Sequence, residues 1–501
     1  MNTSYQHKAN RGKTLSELPT NLTTEQKDYA IFLPAISSFY ATFVGKQRYE
    51  EYIPKDRLPS SMNGLVESGN WLEPAAAIWH YKWGLHSAGH ASLEVGQIPK
   101  EDMYRNRDRD NSWLLGDSGG FQIGKGKWEG DWRAGSGDPK VQKKREQVLK
   151  WMDAYMDYGM ILDIPAWVSR SPEGAKASQI GSYQEAVEGT QENNEYFIKN
   201  RSGDCKFLNV LQGENFAQAD DWYEQMKKYC DPKQYPNEHF NGWSMGGQNM
   251  CDIHLALKRL VTLRFDGLLE KGKHDFMHFL GTSKLEWGLM LTAVQRAVRK
   301  YHNENFTVTF DCASPFLCTA NGQQYTNWRL DHNGKWSYIM EPAPDDKGLS
   351  KDTSSWDELC AKHHTSWFPS PFSEGLKVND VLRYGPGDLN KNGKEGKTSW
   401  DSFSYFLMMN HNVYTHIRSI QEGNKAMDNG QYPNWLVEDT FERRAVCEMI
   451  DHVFEISDRD KALNFIDDNV KLWMRVPGTR GAVGKKTVNA SSQFNALFEE
   501  A

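Results

Sequence analysis

Between residues 30 and 315 the chain repeats one pattern of apolar and polar positions. A short apolar run that ends at a polar residue or a glycine is followed each time by a longer stretch with the apolar spacing of a helix. The apolar runs are 30–34, 113–115, 160–162, 207–211, 243–245, 276–280 and 306–310, and a further one is expected between residues 64 and 82. Strands that alternate with helices in this way form parallel sheets, and eight such units predict a (β/α)8 barrel.

The predicted strands end in polar side chains or in glycines. These ends are Asp117, Asp163, Gln212 with Gly213, Gly246 with Gly247, Gly281 with Thr282, and Asp311. In a (β/α)8 barrel all strands end at one mouth, where catalytic residues lie. A single Asp at such a place is often only the N-cap of the next helix. Three Asp residues that converge on one mouth, together with Gln212 and glycines, favour a binding or catalytic site instead.

The segment 117–122, Asp-Ser-Gly-Gly-Phe-Gln, has the most specific pattern in the chain. It places a carboxylate and a hydroxyl where the apolar run 113–115 enters a glycine turn. Glycines allow a flat ligand to approach the backbone, and Phe121 offers an aromatic face. The letters at 116–120 also match the serine loop of trypsin-like proteases. That interpretation is rejected, because those proteases are all-β, place His and Asp before the Ser, and usually carry disulfides.

The composition predicts the size class of the protein and its cellular compartment. The 501 residues are 39% apolar, which allows one large catalytic domain with additions, since single cores stop growing near about 250 to 300 residues. The seven cysteines are widely spread without a Cys-x-x-Cys pair, so we expect reduced thiols and a cytoplasmic protein. The N-terminus lacks an apolar signal-like run, and no stretch approaches the roughly 18 apolar residues of a membrane span, so we expect neither secretion nor a membrane partner.

The net charge of −7 opposes long-range attraction of nucleic acids, so local basic patches would have to bind such a partner. The candidate clusters are Lys140, Lys143, Lys144 and Arg145; Arg296, Arg299 and Lys300; and Lys471, Arg475, Arg480, Lys485 and Lys486. A cluster of this kind is more often a solvated helix face. Some of the 18 tryptophans could stack on bases, although most large aromatic residues fill cores.

The composition changes after residue 320. Loop-like segments at 341–348 and 385–397 interrupt the regular pattern, and helical patterns return at 403–420 and 437–454. The expected organisation is a polar N-terminal tail at 1–28, the barrel at 29–330, an irregular, loop-rich insertion at 331–399, a helical C-terminal extension at 400–476 and a loosely ordered tail at 477–501.

Two carboxylates at one mouth suit chemistry at a glycosidic bond, because one attacks the anomeric carbon while the other manages the proton of the leaving group. A Gln and a further Asp can hydrogen-bond to the donor edge of a purine-like base. A glycoside hydrolase on a similar barrel would use the two carboxylates as well. It would leave Gln212 and the paired glycines at 246–247 without a role.

The ordered set of strand-end motifs resembles that of the tRNA-guanine transglycosylases. The matching blocks are 117–122, 162–163, 210–213, 242–247, 279–282 and 310–312 with Pro315, within residues 30 to 320. The resemblance implies base exchange without a redox or nucleotide cofactor, with Asp311 as the nucleophile at C1′ and Asp117 as the general acid and base. It implies that the base is bound by Ser118, Asp163, Gln212 and the backbone of Gly246 and Gly247, with Phe121 and Leu280 on the two ring faces.

The chain differs from the tRNA enzymes in the residues that bind zinc, in those that hold the nucleic acid and in those near the base. The family's zinc cluster of three cysteines and a His is missing; His411 lies in a segment like that of the zinc His, and the nearest substitutes are Cys360, His363 and His364. The segment 314–324 contains no Lys or Arg, whereas the tRNA enzymes place arginines there to grip the anticodon loop. Gln248 and Asp252 stand where the family has Leu and Glu, which bears on the choice of 7-deazaguanine.

These differences and the long C-terminal extension favour DNA as the partner, as in the DNA guanine transglycosylases of the DpdA type. The expected reaction replaces guanine in DNA by a free 7-deazaguanine base such as 7-cyano-7-deazaguanine, and a duplex substrate would need its target base flipped out. A divergent tRNA enzyme and a non-catalytic nucleic-acid-binding partner subunit are the alternatives. The second of these has no need of both Asp117 and Asp311. We expect no cofactor, since a structural zinc lacks its cysteine cluster.

Overall fold

The computed structural model describes residues 18–46, 53–96, 103–105, 107–383, 398–436 and 445–479. One parallel sheet is formed by eight strands: Ile31–Pro34 (β1), Trp83–Ser87 (β2), Trp113–Asp117 (β3), Tyr158–Met160 (β4), Lys206–Leu211 (β5), Gly242–Met245 (β6), Phe276–Phe279 (β7) and Thr307–Cys312 (β8). Neighbours in the chain pair from β2 to β8, and β8 pairs with β1. A bridge from Ala35 to Leu85 brings β1 to β2. The sheet is thus a nearly closed (β/α)8 barrel, and the predicted fold class is confirmed.

Helices interleave with the strands. They are Ser38–Lys46 (α1), Gly120–Gly124 (α2), Pro139–Tyr155 (α3), Pro172–Ser178 (α4), Tyr183–Asn200 (α5), Phe216–Met226 (α6), Ile253–Phe265 (α7) and Leu285–Tyr301 (α8). Side chains of Asp138, Ser182 and Asp252 cap α3, α5 and α7 by accepting hydrogen bonds from first-turn N–H groups. Apolar strand residues such as Leu115 and Phe310 are at most 1% exposed and form the core that holds the strand ends in place.

Two strand predictions were wrong in position. β2 lies at Trp83–Ser87, just beyond the predicted window of 64–82. Its His86 is fully buried and its Nδ1 lies 3.0 Å from the carbonyl oxygen of Ile36, so a polar residue with a specific partner interrupts the apolar run. β4 ends at Met160, and Asp163 therefore lies in the segment that follows the strand.

Beyond β8 the chain adds a hairpin and further helices. The hairpin pairs Gln323–Arg329 (β9) with Ser337–Pro342 (β10) in antiparallel orientation. The helices are Ser314–Ala320 (α9), Trp356–His363 (α10), Val378–Val381 (α11), Ser402–Asp428 (α12), Ala445–Glu455 (α13), Arg459–Asp468 (α14) and Val470–Trp473 (α15). The stretch expected to be a loop-rich insertion therefore contains β10, α10 and α11.

The long helix α12 joins this extension to the barrel. It packs against α8, α9 and β9, and 24 of its 27 residues are buried, so protein surrounds it on nearly every side. At its start Asp401 forms an ion pair of 2.7 Å with Arg57. Within the described ranges no helix combines the length and the apolar character needed to cross a membrane.

Some predictions lie outside the described residues. They concern most of the tails at 1–28 and 477–501, the loop at 385–397, the first part of the predicted helix 437–454, and Arg480, Lys485 and Lys486. The rest of that predicted helix corresponds to α13.

Candidate active site at the barrel mouth

Asp117 ends β3 and faces the end of the neighbouring strand. Ser87, its register partner at the end of β2, donates a hydrogen bond from Oγ to Asp117 Oδ2 at 2.5 Å. Desolvation raises the pKa of Asp117 above its usual range, and the nearby Asp311 carboxylate raises it further, while the Ser87 hydroxyl acts in the opposite direction. Asp117 is therefore a carboxyl group that is suited to hold a proton while a second carboxylate stands near it.

Asp311, on β8, has a different environment. It is 1% exposed, and its Oδ1 lies 2.9 Å from the backbone N of Gly281 and 3.1 Å from His278 Nε2. His278 Nδ1 lies 2.9 Å from Thr309 Oγ1. A neutral imidazole protonated on Nε2 satisfies both contacts, because Nε2 donates to Asp311 and Nδ1 accepts from the hydroxyl. Among the described residues no hydrogen bond reaches Oδ2, so this oxygen has a lone pair available for attack.

Asp163 and Gln212 form a buried pair. Gln212 Nε2 donates to Asp163 Oδ2 at 2.7 Å, and the two residues are 4% and 6% exposed, Gln212 being the more buried. Burial raises the pKa of Asp163 to about 7, and the neighbouring Asp117 adds to the rise, whereas the Gln212 amide lowers it. A Cβ atom on Gly120 would overlap with the carbonyl oxygen of Asp163. The second glycine of the segment 117–122 is thus required because α2 begins directly against Asp163.

Gly246 and Gly247 bring the turn after β6 against the turn after β5. Gly247 has a φ of +55°, and a Cβ atom there would overlap with the carbonyl of Gly213. Gly246 N donates to Leu211 O at 2.8 Å, and a Cβ atom on Gly246 would lie 3.0 Å from Gln212 Nε2. These glycines therefore position the Gln212 amide, and the Gly246 N–H is already engaged within the fold.

The remaining predicted base-binding residues lie around these carboxyl groups. Ser118 is 1% exposed and its Oγ lies 3.4 Å from the backbone N of Gly120. Phe121 packs edge-on against Trp167, with ring centroids 5.6 Å apart. Leu280 is 9% exposed and its N–H donates to the carbonyl of Met245 at 3.2 Å, which links the ends of β7 and β6.

Ser87 and His278 are site residues that the sequence analysis did not identify. Ser87 is the last residue of β2, the strand that was expected within residues 64 to 82. His278 stands inside the apolar run of β7, and a polar residue in such a run needs a buried partner, which was the available signal. Both act on a predicted catalytic carboxylate, so each is a candidate positioning residue.

The residues considered as substitutes for the zinc ligands do not form a group that could hold a metal ion. Within the described part of the chain no group of three or more His, Cys, Asp or Glu side chains could hold a metal ion. His411 has both ring nitrogens engaged, with Nδ1 3.0 Å from Ser370 Oγ and Nε2 2.9 Å from Tyr325 O. Cys360 is fully buried, and burial raises the pKa of its thiol far above the usual range, which disfavours the thiolate that zinc requires.

No known family model matches the chain, and no curated protein matches it. The mouth itself combines a carboxylate with an oxygen available for attack, a second carboxyl group with a raised pKa, and a buried carboxyl–amide pair. Chemically, such a set can form and break a bond at a sugar carbon while it exchanges a proton with a bound base.

Proposed function

We propose that the chain is a base-exchange transglycosylase that replaces guanine in DNA by a 7-deazaguanine such as 7-cyano-7-deazaguanine. The observation that carries the proposal is the pair of unlike carboxyl groups at one mouth, Asp311 and Asp117, beside the buried Asp163–Gln212 pair. The resemblance of the strand-end motifs to the tRNA-guanine transglycosylases supports guanine as the leaving base. Both supports concern the same residues, since the motif blocks contain Asp117, Asp163, Gln212 and Asp311.

In the first half of the reaction Asp311 Oδ2 attacks C1′ of the target nucleotide. The bond between C1′ and guanine N9 breaks, its electron pair leaves with the base, and Asp117 supplies the proton that neutralises it. The raised pKa of Asp117 supports this role, because a general acid must carry its proton before the bond breaks. The product is a covalent ester-like bond between Asp311 and C1′.

In the second half the incoming 7-deazaguanine occupies the place of guanine. Asp117, now a carboxylate, takes the proton from N9 of the new base, N9 attacks C1′, and Asp311 leaves as a carboxylate. Two displacements at one carbon retain the anomeric configuration. No redox step occurs, because one glycosidic bond replaces another.

Asp163 and Gln212 are the residues that read the base. Guanine and 7-deazaguanine present the same N–H donors on the edge that carries N1 and the exocyclic amine, and the Asp163 carboxylate can accept from both. The Gln212 amide, which donates to Asp163 in the free protein, can donate to the base carbonyl. Because donors stabilise the anion, a bound base would lower the pKa of Asp163 from its value of about 7.

DNA is proposed as the polymer because the segment after the nucleophile carries no cation. The helix α9, Ser314–Ala320, and the residues up to 324 contain neither Lys nor Arg. The environments built around Asp117 and Asp311 argue against a non-catalytic subunit, since Ser87 and His278 would then orient carboxylates without a purpose.

The test is the transfer of radiolabelled guanine into single-stranded DNA, double-stranded DNA and unmodified tRNA by the purified protein. Label should enter DNA and not tRNA, and Asp311→Asn should abolish the transfer, whereas substitution of the exposed Asp110 by Asn should not change it. Faster labelling of tRNA than of any DNA would overturn the choice of polymer. Labelling of neither polymer by folded protein would favour the non-catalytic alternative.

A further inference from the structure

The basic cluster on α8 is neutralised within the protein. Arg296 lies 2.7 Å from an oxygen of Asp28 and 2.8 Å from one of Asp428, and Lys300 lies 3.0 Å from one of Asp451. Cations that already form ion pairs with carboxylates contribute little to the binding of a phosphate group. Arg296 and Lys300 therefore form intramolecular ion pairs, and Arg299 donates to the carbonyl oxygen of Phe306.

The cluster at the start of α3 divides into paired and unpaired residues. Arg145 is 3% exposed and donates to Asn193 Oδ1 at 2.7 Å, so it belongs to the packing of α3 on α5. Lys140 lies 3.9 Å from Glu129. Lys143 and Lys144 remain, and among the described residues no carboxylate forms an ion pair with either of them.

Two further lysines lie in the loop that follows the segment 117–122. Lys127 is exposed and Lys125 is half-buried, with its Nζ 5.4 Å from the centre of the Phe121 ring. No described carboxylate forms an ion pair with them either. Lys125, Lys127, Lys143 and Lys144 are here called the lysine rim.

Trp128 connects the lysine rim to the proposed catalytic turn. Lys144 Nζ lies 4.8 Å from the centre of the Trp128 ring. The same ring packs against Gly119, where a Cβ atom would lie 2.7 Å from it, and Trp128 N donates to Gln122 O at 3.2 Å. Two lysine–aromatic pairs thus involve the turn that carries Asp117, since Phe121 belongs to it and Trp128 packs against its Gly119. Aromatic rings beside cations are elements with which proteins bind nucleic-acid strands.

The charges around the lysine rim leave it positive. Lys143 and Lys144 repel each other, and this repulsion together with burial lowers the pKa of Lys144. Glu94 is the carboxylate that counteracts it, but Glu94 Oε1 accepts a hydrogen bond from Gln147 at 2.9 Å. Bound phosphate groups would relieve this repulsion.

We propose that the lysine rim binds the phosphates of the DNA strand next to the target nucleotide. The inference rests on the proposed function and adds the path of the strand to it. Lysines bind phosphates as point charges without reading the sequence, so the rim would hold the strand in place while the mouth selects guanine. A strand on the rim passes beside the turn 117–122 and therefore past Asp117.

The test compares two fourfold lysine-to-alanine variants of the full chain. One replaces the lysine rim, and the matched control replaces Lys206, Lys228, Lys233 and Lys273, which lie in or before strands β5 to β7, away from the mouth. The control also removes two lysine–aromatic pairs, because Lys206 lies over Tyr158 and Lys228 over Tyr229. Both variants change the net charge equally, so a general loss of attraction affects them alike.

The measurement is fluorescence anisotropy of a labelled single-stranded DNA that contains guanine, over a range of salt concentrations. The rim variant should bind at least tenfold more weakly, and the slope of log affinity against log salt should flatten by about 0.7 for each lost contact, or about three in all. The control should keep the slope of the unchanged protein. Free guanine, titrated by calorimetry, should still bind both variants, because Asp163 and Gln212 are unchanged in each.

The outcomes separate this inference from the proposed function. If the unchanged protein binds DNA with a steep salt slope and the rim variant keeps that slope, the inference is wrong and the proposed function stands. If the rim variant loses the slope but the unchanged protein exchanges no base into DNA, the proposed function is wrong and the rim is still the DNA-binding surface. Equal losses in both variants, or no DNA binding by the unchanged protein, would overturn the inference.

Discussion

The two sides of the barrel mouth present carboxyl groups in opposite environments. On the β7–β8 side, Asp311 has one oxygen within hydrogen-bond distance of Gly281 N and His278 Nε2. On the β3–β5 side, desolvation raises the pKa of both Asp117 and Asp163, which favours the protonated form. The same residue type therefore has two backbone and ring donors at one oxygen in Asp311, whereas desolvation is the largest influence on the pKa of Asp117 and Asp163.

The largest expected effect comes from removing the carboxylate of Asp311, the proposed nucleophile. Asp311→Asn keeps the shape of the side chain but cannot form the ester-like bond to C1′, so exchange should fall by on the order of 10⁴-fold or more. Denaturing gels of protein incubated with labelled DNA should show a covalent adduct for the unchanged protein and none for the variant. An adduct formed by Asp311→Asn would mean that the two sides of the mouth have been assigned to the wrong roles.

Asp163 tests the base-reading part of the β3–β5 side. Asp163→Ala should weaken guanine binding by about 1.5 to 3 kcal/mol, or about 10- to 150-fold, because a charge-assisted hydrogen bond is lost. Calorimetric titration with free guanine measures the loss, and the melting temperature serves as the control. Normal affinity with a collapsed melting temperature would instead make Asp163 a structural residue.

Variants of His278 test whether the hydrogen bond from its ring to Asp311 matters for the reaction. His278→Phe removes one hydrogen bond to Asp311, and kcat should fall by about 10- to 100-fold while KM for the base stays unchanged. His278→Gln retains an amide donor and should recover part of kcat. If the two variants lose activity equally at equal melting temperatures, the contact at 3.1 Å does not position the nucleophile.

A variant of Ser87 tests the environment of Asp117 on the β3–β5 side of the mouth. Its hydroxyl stabilises the Asp117 carboxylate, so Ser87→Ala should raise the pKa of Asp117 further. The limb of the pH–rate profile that reports Asp117 should therefore move to higher pH. Ser202→Ala, at an exposed serine before the start of β5, is a control for loss of a hydroxyl. An unmoved profile with lower activity would assign Ser87 to packing alone.

A further effect is expected in the stability of the free protein. Asp163 has a pKa of about 7 in the fold against 3.8 as the ordinary value, so the folded state keeps a proton that the unfolded chain loses between these pH values. The free energy of unfolding should therefore fall as pH rises from about 4 to 7 and then level off, with about 1.4 kcal/mol for each tenfold change in proton affinity.

Melting curves of Asp163→Asn measure this effect. The variant should match the unchanged protein near pH 4 and exceed it in melting temperature by a growing amount up to about pH 7. Asp110→Asn, at an exposed carboxylate, should follow the unchanged protein at every pH. A difference that does not vary with pH would show that Asp163 is not protonated in the fold.

The apolar pattern was sufficient for the architecture but not for every strand. β1, β5 and β6 were located almost to the residue, because their apolar runs are continuous. Gly84 and His86 interrupt β2, and Ile161 with Leu162 prolong the apolar run beyond the end of β4. Periodicity reports burial, and a buried residue need not belong to a strand.

Local sequence also identified which strands end in carboxylates, since each motif lies within a few neighbouring residues. The folded chain alone decided what surrounds them. Ser87 and Asp117 are 30 residues apart, and His278 and Asp311 are 33 apart, yet each pair meets because adjacent strands set their register. Arg296 forms an ion pair with Asp28, which lies 268 residues away in the chain. By contrast, no described carboxylate forms an ion pair with a residue of the lysine rim. Desolvation, donors and ion pairs depend on such distant neighbours, so proton affinity and free charge are properties of the packed structure.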